Sequence, residues 1–273
     1  MNAERLRKII SHNHKNRAET DSLVRRFCSL AGITYESDLL NILQIVRSAL
    51  QIKGFYVFEM PFADEEIGAV SYRGDGAGYI VVNTSLPRVN VNFALSHEVY
   101  HVLFGNMAVA AQVAFADDAW HENEEEYRAS QFAGTLLMPE VSFRRMYAHF
   151  RYAHNGNESQ DDVFSALAQL VSYYQVPYMA VLIRCLELDL LPGDAITEEL
   201  LSPKREAVRQ KLTDLWLDET IMDASLRDDY PRMESLVERL GKEYSRDGYI
   251  NDRAVSKALR CMRELSSRIK GEF

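Results

Sequence analysis

The stretch SHEVYH, residues 96–101, contains two of the chain's seven histidines. His97 and His101 are four residues apart, so on an α-helix their imidazoles lie one turn apart on one face, where a single tetrahedral Zn²⁺ can bind both. Glu98 lies about 100° around the helix from His97, beside a metal rather than on it. There its carboxylate can take a proton from an attacking water. This HExxH spacing predicts a zinc-dependent hydrolase.

A third ligand is expected, because catalytic zinc usually has three protein ligands and one open position. The sequence EEEYRASQFAGTLLMP predicts a second helix on which Glu126 shares a face with Ala129 and Ala133. These small residues allow a close approach to the histidine helix, so Glu126 is the preferred third ligand. The acidic run around it also complements a helix N-terminus. The rival ligands in this segment are His121, Glu124 and Glu125.

The same motif has a plainer interpretation, in which two polar histidines lie on a solvated helix face. The neighbouring residues Phe93, Leu103 and Phe104 argue against it, because exposing the histidines would also expose these apolar side chains. Imidazoles that are shielded from water need polar partners, and a metal ion supplies one. The surroundings therefore favour the zinc interpretation.

The periodicity of apolar residues predicts the elements that precede the motif. Spacings of three and four predict helices over residues 4–31, with a possible N-cap at 20–22, and over residues 36–52. Short β-branched and aromatic runs in GFYVFEM, IGAVSYR and GYIVVN predict three strands. The last two strands are separated by a turn around Gly74 and Gly76. A small sheet that contains a hairpin is therefore expected.

The motif itself lies on a predicted helix over residues 90–104, which Gly105 closes. A second helix is predicted over residues 122–138 and stops at Pro139, and only helical patterns follow. We therefore predict an α+β fold, with a mainly helical, zincin-like domain. A small antiparallel sheet precedes the HExxH helix, and a helical C-terminal region follows.

Composition narrows the classes of partner. A formal charge of −9 and a pI near 5.4 give no basic field for phosphates, so direct binding of nucleic acid or of an anionic membrane is not expected. No apolar run reaches the roughly 18 residues that a membrane span needs, and the first residues do not resemble a signal peptide. A cytoplasmic location is therefore predicted. The three cysteines, which are far apart in helical patterns, are expected to be buried thiols.

Two stretches together, NFALSHEVYHVLFGN and EEEYRASQFAGTLLMPE, closely resemble the ImmA/IrrE family of zinc metallopeptidases. The shared features are the apolar lead before the HExxH motif, a glutamate at position 126, the FA pair at 132–133 and the LLMP ending at 136–139. The resemblance covers roughly residues 35–192. It implies that His97, His101 and Glu126 bind zinc and that Glu98 is the general base. It also implies a protein substrate, namely a helix-turn-helix repressor of a stress, phage or mobile-element regulon.

The chain departs from the family's pattern at a few positions. Tyr100 stands where the family often has glycine, and we expect it to pack in the core. Ser130, Gly134 and Thr135 stand where asparagine, alanine and glutamate are frequent. The donor that stabilises the oxyanion is left open between four residues after Pro139, each of which has packing or surface exposure as its default role. They are Tyr147, His149, Tyr152 and His154.

The resemblance ends near a Leu-Pro-Gly-Asp segment at residues 191–194, which suggests a domain boundary. We therefore predict a metallopeptidase domain with N-terminal helices at residues 1–192. Residues 193–273 would form a helical C-terminal region whose acidic and basic residues are nearly balanced. This region is a candidate sensor, partner platform or additional core.

Two other functions are considered. The segment LAQLVSYYQVPYMAVLIRCLEL resembles a DNA-binding helix-turn-helix in outline, but Arg184 is the one basic residue of its second helix, which is therefore predicted to be buried. The second alternative is a zinc-domain toxin or partner-binding module of a toxin–antitoxin pair, with little peptidase turnover. Cleavage, as opposed to mere binding, of a neighbouring regulator would distinguish this alternative from the peptidase.

Overall fold

The computed structural model describes residues 3–39, 41–73, 78–105, 114–115, 124–152, 159–191, 197–201 and 203–271. The helices, numbered along the chain, are α1 (Ala3–Ala31), α2 (Ile42–Gln51), α3 (Arg88–Leu103), α4 (Glu124–Leu137), α5 (Glu140–Tyr152), α6 (Gln160–Tyr174), α7 (Tyr178–Glu187), α8 (Glu198–Leu201), α9 (Arg205–Asp214), α10 (Tyr230–Arg246) and α11 (Asp252–Lys270). The strands are β1 (Phe55–Met60), β2 (Ala69–Arg73), β3 (Gly78–Asn83) and β4 (Ala114–Phe115). The predicted α+β, mainly helical class is confirmed.

The sheet is mixed, with the strand order β1-β3-β2-β4. Strands β2 and β3 form the predicted antiparallel hairpin, and β4 pairs antiparallel with β2. Strand β1 instead runs parallel to β3. The prediction of an antiparallel sheet is therefore wrong for this pair. The reason is that the chain crosses from β1 to the far side of β3 before it makes β2, so β3 returns beside β1 in the same direction.

Both faces of the sheet are covered, which explains why the sequence of β3 is apolar almost throughout. On one face, Ile80 and Val82 are fully buried in the main core with α3. On the other face, Val81 belongs to a smaller apolar cluster that includes Tyr230 of α10 and Ile269 of α11. The sheet therefore lies between the motif helix and the end of the chain.

The first N-terminal helix has nearly the predicted bounds, whereas the second begins later than predicted. Helix α1 is unbroken through residues 20–22, so no helix begins there. Thr20 is buried inside α1, which packs against α4 and α7, and this packing overrides a local capping signal. Helix α2 begins at Ile42, later than predicted, and the side chain of Asn41 accepts a hydrogen bond from the backbone N–H of Gln44.

The C-terminal region shares the main core. Its apolar residues in this core belong to α8, α9 and the 3₁₀ helix Glu219–Met222; they are Leu200, Leu201, Val208, Leu212, Ile221 and Met222. Beside them, the backbone N–H of Arg88, the first residue of α3, donates to the carbonyl of Asp223. Residues 192–196, at the predicted boundary, lie outside the described residues. The division into two domains stays a prediction.

The expectation of buried thiols holds at two cysteines. Cys28 and Cys185 are buried and unpaired. Cys261 is also unpaired but exposed, because it lies on the outer side of α11, a helix that buries little of its surface. The expectation is therefore wrong for Cys261.

No single helix in the described part of the chain is long and apolar enough to cross a membrane. Helices α6 and α7 reach that length and apolarity only as a pair, and they meet at a bend of 108°. Their apolar residues, such as Leu167 and Val181, are fully buried in the main core.

Candidate metal centre

Helix α3 places the two histidines of the motif on one face. Leu95 and Val99 are fully buried on other faces of the same helix, which fixes its rotation against the core. The Nε2 atoms of His97 and His101 are 3.1 Å apart. Only 11% and 12% of the two side chains are exposed, so both imidazoles are largely shielded from water. The spacing of four residues therefore brings the two Nε2 atoms close enough for one metal ion to bind both.

Glu126 in the first turn of α4 completes the cluster. Its Oε2 is 3.0 Å from His97 Nε2, and its Oε1 is 3.2 Å from His101 Nε2. Ala129 and Ala133, on the same face of α4, are fully buried. These small side chains allow α4 to pack closely on its neighbours, as predicted. Glu126 therefore reaches the histidines from a second helix.

The three side chains fit a zinc ion in both chemistry and spacing. One ligand atom from each residue lies within 4.8 Å of the other two. Ligand atoms around a tetrahedral zinc with bonds of about 2.0–2.1 Å are about 3.3 Å apart, close to the separations seen between these atoms. Two imidazoles and one carboxylate are also a donor set that catalytic zinc uses. A divalent cation would satisfy all three groups at once.

Ser130, one turn after Glu126, contacts the ring of His97 on the side away from the cluster. Its Oγ is 3.3 Å from His97 Nδ1. When Nδ1 carries the proton and donates to this hydroxyl, the lone pair of Nε2 points at the cluster. Such contacts orient a ligand imidazole and fix its tautomer. Ser130 is therefore a positioning residue for His97.

Glu98, next to His97 on α3, is only 3% exposed. The Ser71 hydroxyl of β2 lies near enough to lower the pKa of Glu98. Even so, neither Ser71 Oγ nor Glu98 Oε2 has a hydrogen-bond partner of normal geometry among the described residues. Buried carboxylate oxygens are rarely left without a partner. Glu98 Oε2 is therefore available to a water or a substrate group.

Burial and neighbouring charges set the ionisation of the cluster. Burial raises the pKa of Glu98 above its ordinary value, although His97 and His101 oppose the shift. Burial alone would also raise the pKa of Glu126, but hydrogen bonds from the two histidines outweigh it and hold this pKa far below its usual range. Burial lowers the pKa of His101, yet Glu126 and Glu98 reverse the effect and raise it overall. The pKa of Glu98 is thus raised and that of Glu126 is lowered within one site.

The family is decided by comparison with known protein families. The peptidase M78 family, described as an IrrE N-terminal-like domain, matches residues 50–186, which is half of the chain. This chain belongs to the peptidase M78 family. The match spans the sheet, the motif helix and the helix of Glu126, and it confirms the resemblance found in the sequence. No match is found among the curated proteins.

Within this M78 chain, the rival ligands are placed elsewhere. Glu124 forms an ion pair with Arg128 on the next turn of α4. Glu125 approaches Gly105 instead, since a Cβ built on that glycine would lie 2.8 Å from Glu125 Oε1. His121 lies outside the described residues. Among the candidate third ligands that the structure describes, only Glu126 contacts both histidines.

The positions at which this M78 domain departs from its family leave the cluster intact. Tyr100 is buried, and its ring packs against Phe132 of α4 with a centroid distance of 6.0 Å, as predicted. Thr135 is buried on α4, and Gly134 on the same helix has room for a Cβ, which would lie 3.9 Å from Met138 Cε. The ring of Tyr100 also lies edge-on to that of His101, with the centroids 5.6 Å apart. Ser130 is the departure whose hydroxyl contacts a metal-site residue. Its role depends on where α4 meets α3, which spacing within one helix does not reveal.

Of the four candidate oxyanion donors, the two whose side chains the structure describes, Tyr147 and His149, are not brought to the cluster. The Tyr147 hydroxyl donates to the backbone carbonyl of Leu190 at 3.0 Å, and His149 lies exposed on α5. The side chain of Tyr152 and the whole of His154 lie outside the described residues. Tyr147 therefore has the packing role that was its default.

The helix-turn-helix interpretation finds no support in the placement of α7. Arg184 is buried, and its guanidinium donates to the carbonyl of Met138 and to Glu187. Because the one basic residue of this helix makes its hydrogen bonds inside the protein, the helix cannot present it to a DNA groove. The predicted burial of this helix is confirmed.

Proposed function

We propose that this M78 protein is a zinc-dependent endopeptidase whose metal is held by His97, His101 and Glu126. One observation carries the proposal, namely that nitrogen and oxygen atoms from two helices converge within 4.8 Å at a partly open site. The family match supports peptidase activity. The donor set supports zinc over magnesium or calcium, which prefer oxygen ligands.

Zinc bound at this site would lower the pKa of a coordinated water toward about 7 and polarise the scissile carbonyl. Glu98 would act as the general base, taking a proton from the attacking water at Oε2 and passing it to the nitrogen of the leaving amine. The buried Oε2 atom has no competing hydrogen-bond partner among the described residues, and this supports the role. Ser130 would keep the His97 ring oriented throughout turnover.

The proposed substrate is a specific protein, such as a helix-turn-helix repressor in a stress, phage or mobile-element system. Support for this substrate comes from the resemblance to the ImmA/IrrE family. The net charge of −9 also makes direct nucleic-acid binding by the whole chain unfavourable, so control of a regulon would act through a protein. The cytoplasm is the proposed compartment.

The metal is tested by elemental analysis of the purified protein after zinc is supplied at neutral pH. We expect near-stoichiometric zinc in the wild type and strong loss in His97→Ala and Glu126→Ala. Glu124→Ala is the matched control, because it removes a carboxylate from the same helix turn that pairs with Arg128 instead. Wild-type protein without zinc would refute the site, and equal zinc loss in the control would refute the choice of Glu126.

The reaction is tested with Glu98→Gln and a candidate repressor, such as the product of a neighbouring regulator gene. We expect the variant to keep zinc and to lose cleavage by about 10²-fold or more, because loss of a general base costs this much. Cleavage at the wild-type rate would refute the role of Glu98. If the wild type binds the regulator but never cuts it, the toxin–antitoxin alternative replaces the peptidase.

A further inference from the structure

Helices α10 and α11 form an antiparallel pair, called here the C-terminal hairpin, that buries very little. Gly241 is the one buried residue of α10, and Ser266 is the one buried residue of α11. Both helices carry apolar residues at helical spacing that are only half-buried; they are Met233, Leu236, Val237, Leu240, Val255, Leu259, Met262 and Ile269. Helices in proteins draw most of their stability from packing an apolar face. Two helices that pack mainly against each other leave this face incomplete.

The hairpin is fastened to the protein at one end. Tyr230 at the start of α10 and Ile269 at the end of α11 pack on the sheet, and the Ile269 carbonyl accepts a hydrogen bond from the N–H of Ala63. The side chain of Ser266 also contacts Met60 Sδ at 3.7 Å. At the other end, Tyr244, Tyr249 and Ile250 are exposed. The base is therefore fixed while the distal half presents its surface to solvent.

An exposed stripe runs along α11. Its members follow spacings of four, three and four residues, which is the pattern of a helix-pairing seam; they are Ala254, Ala258, Cys261 and Leu265. All four are exposed, and Leu265 has 53% of its surface exposed. The stripe lies about 90° around α11 from the residues that face α10, such as Val255 and Leu259. A third helix placed there would contact α11 along its length.

A row of cations borders the stripe on its other side. Arg253, Lys257 and Arg260 follow one another at helical spacing and are exposed. None of the three forms an ion pair with any residue in the described ranges. By contrast, Arg263 and Lys270 of the same helix pair with Glu234 and Asp228. The unpaired charges thus lie on the solvent side, beside the apolar stripe.

The charge of the hairpin is opposite to that of the rest of the chain. Residues 230–270 contain ten basic and six acidic side chains, whereas the remaining residues contain 21 basic and 34 acidic side chains. An acidic ligand is therefore repelled by most of the protein and attracted to this hairpin. Charge and exposed apolar surface thus coincide on one element.

We propose that the stripe and the cation row of α11 bind an amphipathic helix of a partner protein, with its apolar face on the stripe and acidic residues opposite the cations. A second copy of the chain is the less favourable occupant, because two hairpins of the same positive charge repel each other. Nucleic acid is also disfavoured, because its phosphates would use the cations but leave the adjacent apolar stripe uncovered. The third helix completes the packing that α10 and α11 leave open. This surface is separate from the metal centre and does not depend on peptidase activity.

The proposal is tested with the full-length protein and a fluorescent synthetic helix three heptads long, with leucine at the seam positions and glutamate beside them. Fluorescence anisotropy measures binding. We expect the peptide to bind, and the triple variant Arg253→Glu, Lys257→Glu, Arg260→Glu to weaken binding by about tenfold or more. Leu265→Asp should weaken it comparably. Arg7→Glu with Lys15→Glu, which reverses exposed cations of α1, should leave it unchanged.

Several outcomes would overturn the proposal. The proposal is wrong if the peptide does not bind. It is also wrong if a peptide with lysine in place of glutamate binds equally well. Light scattering that shows a dimer broken by Leu265→Asp would assign the stripe to a second copy. Binding of duplex DNA that is lost in the triple variant but survives Leu265→Asp would assign the cations to nucleic acid. Unchanged zinc content and circular dichroism in each variant show that the fold is intact.

Discussion

The Ser130 hydroxyl makes the one described contact of α4 with His97 Nδ1, on the side of the ring away from the cluster. Its position one turn after Glu126 means that a single helix supplies both a ligand and the support of another ligand. Supports of this kind affect metal affinity because they select the tautomer whose Nε2 is free to bind. The strength of the site therefore depends on a residue outside the HExxH motif.

Replacing Ser130 tests this dependence. We expect Ser130→Ala to lower zinc affinity by about 10- to 100-fold, as measured by competition with a chromophoric chelator. Ser130→Asn should restore much of the loss, because the amide oxygen can accept from His97 Nδ1. Ser142→Ala is the control, since its hydroxyl bonds Tyr174 away from the cluster. Wild-type affinity in the alanine variant would contradict the assigned role.

The sequence predicts the ligands better than their surroundings, for a physical reason. His97, His101 and Glu126 are each placed by periodicity within one helix, and the apolar stripes of both helices limit how the two can face each other. The contacts of Ser130 with His97, and of Ser71 with Glu98, join separate elements. They depend on how α3 packs against α4 and β2, and no local sequence pattern predicts that packing.

At the scale of elements, Gly105 ends α3 in a way that differs from the usual glycine signal. Helices often end at a glycine with positive φ, but Gly105 is not among the glycines with such a φ. Instead, a Cβ at this position would lie 2.8 Å from the carbonyl oxygen of His101 and from Glu125 Oε1. Glycine is required here because the chain after α3 lies directly against the backbone of His101, which cannot move aside as the Glu125 side chain can. The sequence therefore predicted the right end of the helix for a different reason.

Two glycine substitutions should have opposite effects on stability. Gly105→Ala should destabilise the protein by about 1–3 kcal/mol, because the new methyl group meets backbone that cannot easily move. Gly134→Ala on α4 should stabilise it by up to about 1 kcal/mol, since alanine favours a helix and the nearest side-chain atom, in Met138, would be 3.9 Å away. Chemical denaturation of the zinc-loaded protein measures both.

A stabilised Gly105→Ala protein would show that the chain at residue 105 can move away from the His101 backbone at little cost. A destabilised Gly134→Ala protein would show that Gly134 contributes to packing as well as to spacing. Zinc content gives a second readout. Only the Gly105 change is expected to disturb it, because its methyl group would press on the backbone of His101.

The sheet shows where local patterns stop being informative. The hairpin of β2 and β3 was predictable, because its two apolar runs are separated by a short glycine-rich segment. The parallel pairing of β1 with β3 was not, because the direction of a strand pair is set by the path of the connection between them. Since β3 is buried on both faces, its sequence also lacks the alternation that would indicate an exposed face.

At the scale of the whole molecule, one buried ionic network ties the C-terminal region to the sheet. Asp229, just before α10, accepts hydrogen bonds from the Arg47 guanidinium of α2 at 2.9 Å and from the backbone N–H of Glu59 of β1 at 3.1 Å. Its own N–H donates to the Glu59 carbonyl. Arg227 binds the second carboxylate oxygen of Asp229. The network joins an early helix, the first strand and the late hairpin.

Removing this carboxylate should show whether the chain unfolds as one unit. Asp229→Ala leaves the Arg47 guanidinium with Glu59 as its one carboxylate partner in the network, so we expect a loss of about 3 kcal/mol in the free energy of unfolding. Asp247→Ala, which removes an exposed carboxylate at the far end of the hairpin, should cost under about 0.5 kcal/mol. Because α9 and the 3₁₀ helix share the core of α3, zinc release and loss of helix should occur in one transition for both proteins. If Asp229→Ala instead loses helix in a first step while zinc stays bound until a second, residues 193–273 form a separable domain, and their contacts with the metallopeptidase core contribute little to its stability.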